Sequence, residues 1–205
     1  MMPIRRVLAI VAATAGLAAA AAGPGSSERA TLLAAEISAG ADHISAPELA
    51  DRIMRREPTL QIFDLRSASE YEQLHIATAR QASIETLARE HPSADATIVL
   101  YSEGSTHAAQ SWVLLRLRGY RHVYVLREGL YEWIARVLEP RLAVDATAAE
   151  RAEFERAAEH SRFFGGVPLA DVARSEVPVG YWTSGRTVPV DSTKQAVAGI
   201  RRRGC

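Results

Sequence analysis

The sequence predicts an α/β domain, a parallel sheet with helices on both faces, followed by a helical C-terminal extension. Three observations carry that reading. Short apolar runs of strand length recur along the chain: "LQIFDLR" at 60–66, "TIVLY" at 97–101 and "HVYVL" at 122–126. Stretches with helical spacing and capping residues separate them, as expected where consecutive strands run parallel and need a crossover. The first two strands run straight into polar residues, at the carboxyl ends where sheets of this class hold ligands.

The elements follow in order. Ser45-Ala-Pro-Glu48 reads as a capping box with Pro47 in the first turn, and Leu49, Ile53 and Met54 recur at helical spacing. After strand 60–66, "SASEYEQL" repeats the pattern with Ser67 and Glu70, and "SIETLAREH" is another short helix. Strand 97–101 leads into a loop, Ser102 to His107, and then a helix from Thr106 to Arg118 that Gly119 stops. Ala108, Ala109, Trp112, Val113, Leu115 and Leu117 make that helix apolar almost all round, so burial on all sides is expected. Strand 122–126 precedes the helix "GLYEWIARVL", ended by Pro140; Trp112 and Trp133 occupy core positions.

Length and composition bound the rest. A chain of 205 residues, 48% apolar, buries one ordinary core with length left over. Basic and acidic side chains balance at 24 each, so no global field recruits nucleic acid. Six scattered histidines lack ligand spacing and the single cysteine, Cys205, is the last residue, so neither a metal nor a cofactor is expected.

The N-terminus reads as a targeting segment. "MMPIRR" supplies two charges, "VLAIVAATAGLAAAAA" is an uncharged run, and Ala20-Ala21-Ala22 offers a cleavage site. A cleaved signal implies a periplasmic or secreted protein. The alternative is an uncleaved inner-membrane anchor, for which the run falls short of the ~20 residues a span needs. The expected organisation is a signal peptide at 1–22, a linker at 23–42, the α/β domain at 43–140, and an extension and tail at 141–205.

Two ordered stretches carry a resemblance. In "IFDLRSASEYEQLHIATA", an Asp-x-Arg closes the strand, a Glu-Tyr pair follows, and a His-Ile leads to an Ala, at Asp64, Arg66, Glu70, Tyr71, His75, Ile76 and Ala79. "TIVLYSEGSTHAAQSWVLLRLRGYRHVYVLREGLYEWI" adds Gly119-Tyr120, Val123-Tyr124, Gly129 and Trp133. Over roughly residues 43–140 the chain resembles the rhodanese-like domains, which implies their three-layer fold. Active members of that family hold, at the first loop position, a cysteine that carries sulfur as a persulfide. Here it is Ser102. The sequence departs elsewhere too, with His107 where an Arg is frequent, Thr78 for the Gly of the His-Ile-x-Gly-Ala run, and Glu128 for one Gly of a Gly-Gly pair.

Serine does not replace that cysteine chemically. A thiol ionises near ~8.5 and a helix N-terminus lowers it further, whereas a hydroxyl lies many units higher at ~1.4 kcal/mol each. Oxygen also cannot form the sulfur–sulfur linkage of a persulfide. Glu103 adds a negative charge beside the loop. Because a loop between a strand and a helix aims its backbone N–H groups at whatever sits in it, Ser102, Glu103, Gly104, Ser105, Thr106 and His107 remain the candidate anion-binding site, supported by Asp64 and Arg66, which read first as a structural pair and alternatively as a substrate clamp.

The function expected is an exported binding or regulatory domain without the sulfurtransferase nucleophile, its partner a small anion or a protein. Two enzyme alternatives stand beside it. Cys205, next to three arginines in "RRRGC", is a candidate sulfur carrier or the link of a disulfide dimer. Ser102 with His107 as base and Asp64 as orienter is a candidate hydrolase set. Beyond Pro140, "TAAERAEFERAAEHSRFFGG" is strongly helical and is expected to pack Phe154, Phe163 and Phe164 on the domain; the last stretch carries a short helical run near 192–200 and reads as a tail.

Overall fold

The computed structural model describes residues 25–90, 92–93, 95–104 and 106–177. The signal segment, the helical run near 192–200, "RRRGC" with Cys205, and Ser105 lie outside the described residues. The chain divides into two compact units between Ala41 and Asp42. In the first, helix α1 spans Gly25–Ala39, within the stretch expected to be a linker. Its alanine- and leucine-rich composition favours helix without any amphipathic signal. No helix among the described residues is long and apolar enough to cross a membrane.

The second unit holds a five-stranded sheet of strands β1 (His43–Ile44), β2 (Leu60–Asp64), β3 (Arg80–Gln81), β4 (Thr97–Tyr101) and β5 (Val123–Leu126). The order is β1-β5-β4-β2-β3 and every pairing is parallel. β4 is buried at all five positions, which is why it reads as an unbroken apolar run. β1 and β3, two residues each, are edge strands too short to leave a period in the sequence.

Alternation along the strands splits the core between two faces. Ile62, Val99, Tyr101 and Leu126 join Leu49 and Ile53 of α2 (Ala46–Met54) and Leu130, Trp133 and Ile134 beyond β5. Phe63, Ile98, Leu100 and Val125 point the other way, beneath α4 (Ile84–Arg89) and α5 (Thr106–Leu117), where Leu87, Trp112 and Leu115 are buried. Trp112 anchors α5 by donating from Nε1 to the Val123 carbonyl at 2.8 Å. The predicted three layers are present.

The predicted caps are mostly in place. Ser67 and Glu70 form a full capping box on α3 (Ala68–Gln73). At α2 only half the predicted box forms: Ser45 Oγ accepts from Glu48 N, while the Glu48 carboxylate turns to Arg52, one helical turn on, at 3.0 Å. α5 is not buried all round, as expected from its composition; Val113 and Leu117 are 40% and 57% exposed, and Ala108, Ser111, Trp112 and Leu115 form its inner face. A sheet can cover only one side of a helix. The predicted helix 129–138 begins as α6 (Gly129–Trp133) and widens into a π-helical turn, Ile134–Leu138.

The extension contributes β6 (Arg141–Ala143) and β7 (Leu169–Val172), a parallel ribbon, and between them α7 (Ala148–Phe163) under a Thr147–Glu150 capping box. Phe154, Ala157, Ala158 and Ser161 face inward, and Phe164 meets Trp133 edge-on with ring centroids 4.9 Å apart. Phe163 was expected to pack too, but is 59% exposed. Nine residues at 100° each place it opposite Phe154. Ser161 Oγ and Val167 N both donate to the Leu138 carbonyl at 2.7 Å, tying the extension to the π-helical turn.

Candidate functional site

The site grows from the register of the two central strands. Asp64 pairs with Tyr101, so the residues that leave β2 and β4 emerge side by side at the carboxyl end of the sheet. Leu65 N reaches back to the Tyr101 carbonyl at 2.8 Å and closes that end. A pocket of about 310 Å³ opens there, lined by Leu65, Arg66, Ser67, Glu70, Ser102, Glu103, Gly104 and His107.

Asp64 and Arg66 are committed to one another. Asp64 is fully buried; its Oδ1 accepts from Arg66 Nε at 3.0 Å and its Oδ2 from Nη2 at 2.6 Å, a two-pronged pair. Nη2 also donates to the Leu74 carbonyl, and the Arg66 backbone N–H to Oδ1. Burial and the Asp64 charge push the neighbouring Tyr101 hydroxyl well above its ordinary range, so it stays protonated while accepting from Ile76 N at 3.1 Å. The pair thereby fixes the chain between β2 and the Leu74 turn. His75, beyond it, stacks on Tyr71 at 4.0 Å and bonds the Tyr71 carbonyl.

Ser102 is 4% exposed and its hydroxyl donates to the Gly104 carbonyl within its own loop. The loop is held from behind by α6: Leu130 N donates to the Ser102 carbonyl at 2.9 Å. Gly129 has φ +57°, and a Cβ there would collide with the carbonyl oxygens of Ser102 and Gly104 and crowd that of Glu103. Those three carbonyls face Gly129. A trans peptide sets its N–H opposite its C=O, so the amides of Glu103 and Gly104 point away from α6. Glu103 and His107 are exposed at the mouth, and Thr106 begins α5.

Two of the positions where the resemblance calls for glycine have left-handed backbone. Thr78 has φ +67° and Glu128 φ +50°. Each L-residue there is strained by ~1–2 kcal/mol relative to glycine's freedom.

A second polar cluster lies apart from the residues the sequence singles out. Glu132, inside the apolar run of α6, is 2% exposed and lines a cavity of about 490 Å³ between α2, the π-helical turn and α7. Burial raises its carboxyl to about 7, opposed by the Ala46 N–H and by Arg136 and Arg127. The one available signal was a glutamate at a helix position otherwise occupied by core residues.

Residues 45–136 match the family described as Rhodanese-like domain. The solution NMR structure of the rhodanese-like domain of an Anabaena protein is 33% identical, covering 45% of this chain and 72% of its own, with a TM-score of 0.41. A crystal structure from the same organism gives 32% identity, coverage of 44% and 74%, and a TM-score of 0.42. The human single-domain sulfurtransferase is 21% identical over 45% of this chain and 95% of its own, with a TM-score of 0.40. No curated protein matches.

Proposed function

Because the chain belongs to the rhodanese-like family through residues 45–136, we propose that it is a member that binds rather than transfers sulfur, exported and acting as a binding or regulatory module. The observation that carries this reading is the state of Ser102. It stands at the first loop position, where the family's active members hold cysteine, and spends its hydroxyl proton on the Gly104 carbonyl. An oxygen cannot hold a transferable sulfur atom, and a hydroxyl bonded into its own loop is not handed to a base. That second point disfavours the Ser102, His107 and Asp64 hydrolase reading, since Asp64 is also taken up by Arg66.

Of the two ligand classes, a small anion and a protein partner, the charges favour the partner. Glu70 and Glu103 line the pocket, and the Arg66 guanidinium is neutralised by Asp64. A free anion meets repulsion of ~1–4 kcal/mol per carboxylate at about 4 Å, according to exposure. A partner presenting hydrogen-bond donors or a basic side chain meets none. Titration of the labelled protein with thiosulfate at constant ionic strength tests this: amide signals around Ser102 stay unmoved in the low-millimolar range. Saturable shifts at Glu103 and Gly104 would assign the loop to anions instead. The proposed export rests on residues 1–22, with the mature chain starting near Gly23.

A further inference from the structure

The family match ends at residue 136, inside the π-helical turn Ile134–Leu138, and the extension begins where that turn closes. One bond defines the wide winding: Glu139 N donates to the Ile134 carbonyl, five residues back, at 2.7 Å. An α-helix would give that carbonyl to Leu138 N instead. Single wide turns of this kind recur at functional sites.

The extension clasps the turn at its last residue. The Leu138 carbonyl, at a helix end where carbonyls lack a partner within the helix, accepts from Ser161 Oγ and from Val167 N at 2.7 Å each. Gly166 packs so closely that a Cβ there would overlap the Leu138 carbonyl and Cα. Rewinding the turn by one residue would swing that carbonyl about the helix axis by on the order of 100°. The clasp therefore fits the wide winding and not the tight one.

The other end of the same helix has no slack. Gly129 lies against the carbonyls of Ser102, Glu103 and Gly104, and Leu130 N donates to the Ser102 carbonyl at 2.9 Å. Residues 129–138 run on from there without a break, a rod of ~15 Å. Leu130, Trp133, Ile134 and Val137 are buried along it, and close-packed interiors pass a displacement on rather than absorb it.

We propose that the extension sets the shape of the Ser102 loop through this helix. With the clasp on Leu138 closed, the turn is wide and Gly129 bears on the loop carbonyls. With it open, Leu138 N takes the Ile134 carbonyl from Glu139, the turn tightens to α, and Gly129 shifts against the loop. Whatever grips the extension then tunes the loop, and whatever fills the loop acts back on the clasp, since coupling between two sites is reciprocal. The purpose of the device rests on the reading of the loop as a binding surface; the coupling itself is measured with no partner present.

The experiment compares ¹⁵N-labelled full chains. Ser161→Ala removes one of the two donors to Leu138 and is expected to change the balance of the two windings about fivefold. Gly166→Ala forces the extension off Leu138. Amide signals at residues 102–104 and 129–130 are expected to move in both variants, along one line from the parent and further in Gly166→Ala, as a shared two-state equilibrium in fast exchange requires. Glu139 N–H should lose exchange protection in step, because its bond is the one the tight winding gives up. Glu155→Gln, at an exposed position of α7, is expected to leave residues 102–104 and Glu139 unchanged. Shifts confined to residues 134–139 and 161–167, or Glu139 protection equal to the parent's, would overturn the proposal, and Ser161→Ala decides alone if Gly166→Ala does not fold. Either failure leaves the thiosulfate titration of the parent, and with it the reading of the loop, untouched.

Discussion

Glu132 makes the stability of this domain fall as pH rises toward 8. Its carboxyl sits at about 7 in the folded chain against an ordinary 4.5. At ~1.36 kcal/mol per pH unit, that interval is worth roughly 3 kcal/mol. The sign follows from proton uptake. Between those two values the folded chain holds a proton that the unfolded chain has released, so stability is fully present below 4.5 and is lost as pH climbs through 7. Glu132→Gln removes the titrating group and keeps an oxygen for the Ala46 N–H. The variant should exceed the parent by less than about 1 kcal/mol at pH 5 and by about 3 kcal/mol at pH 8, a sizeable share of the ~5–15 kcal/mol that holds a domain together. Urea unfolding at half-unit intervals from pH 5 to 8 measures this, with the m-value checking that the same transition is followed. Parallel curves for parent and variant would show that Glu132 does not hold a proton in the folded chain above its unfolded range.

Other perturbations bear on the Ser102 pocket. Arg66→Ala leaves Asp64 buried without its partner and should cost about 3–5 kcal/mol in urea unfolding, whereas a change at exposed Glu103 should cost less than about 0.5 kcal/mol. Gly129→Ala forces a Cβ against the Ser102 and Gly104 carbonyls, and its amide spectrum should change throughout residues 102–104 and 129–130. Thr78→Gly relieves a left-handed threonine and should raise stability by about 0.5–1 kcal/mol after the added freedom of the unfolded chain is counted; a loss would show that Thr78 makes a compensating contact.

The sheet centre was legible because β2, β4 and β5 are buried strands that leave apolar runs, and two helix starts because Ser45 and Ser67 cap them. Edge strands β1 and β3 were not: two residues show no period, and only pairing with a neighbour defines them. Helix amphipathicity misled at α5, where apolar residues outnumber the positions the sheet can cover. The π-helical turn and the β6–β7 ribbon left no mark in local pattern. At the candidate site, the meeting of Asp64, Arg66 and Ser102 follows from strand ends in register and was foreseen. The direction of the Ser102 hydroxyl and the three carbonyls packed on Gly129 were not, since both depend on how α6 abuts the loop. Glu132 escaped notice because a carboxylate in an apolar run reads as surface until a second helix covers it.

Thiocyanate production from thiosulfate and cyanide, compared between the natural chain and Ser102→Cys, measures whether sulfur moves through this loop. No turnover above the buffer is expected for the natural chain, because Ser102 cannot carry a persulfide; a gain in Ser102→Cys alone would show that the loop still holds the donor despite Glu70 and Glu103. Turnover by the natural chain that survives Cys205→Ser would contradict that expectation, since sulfur would then be moving through a loop that holds only a hydroxyl.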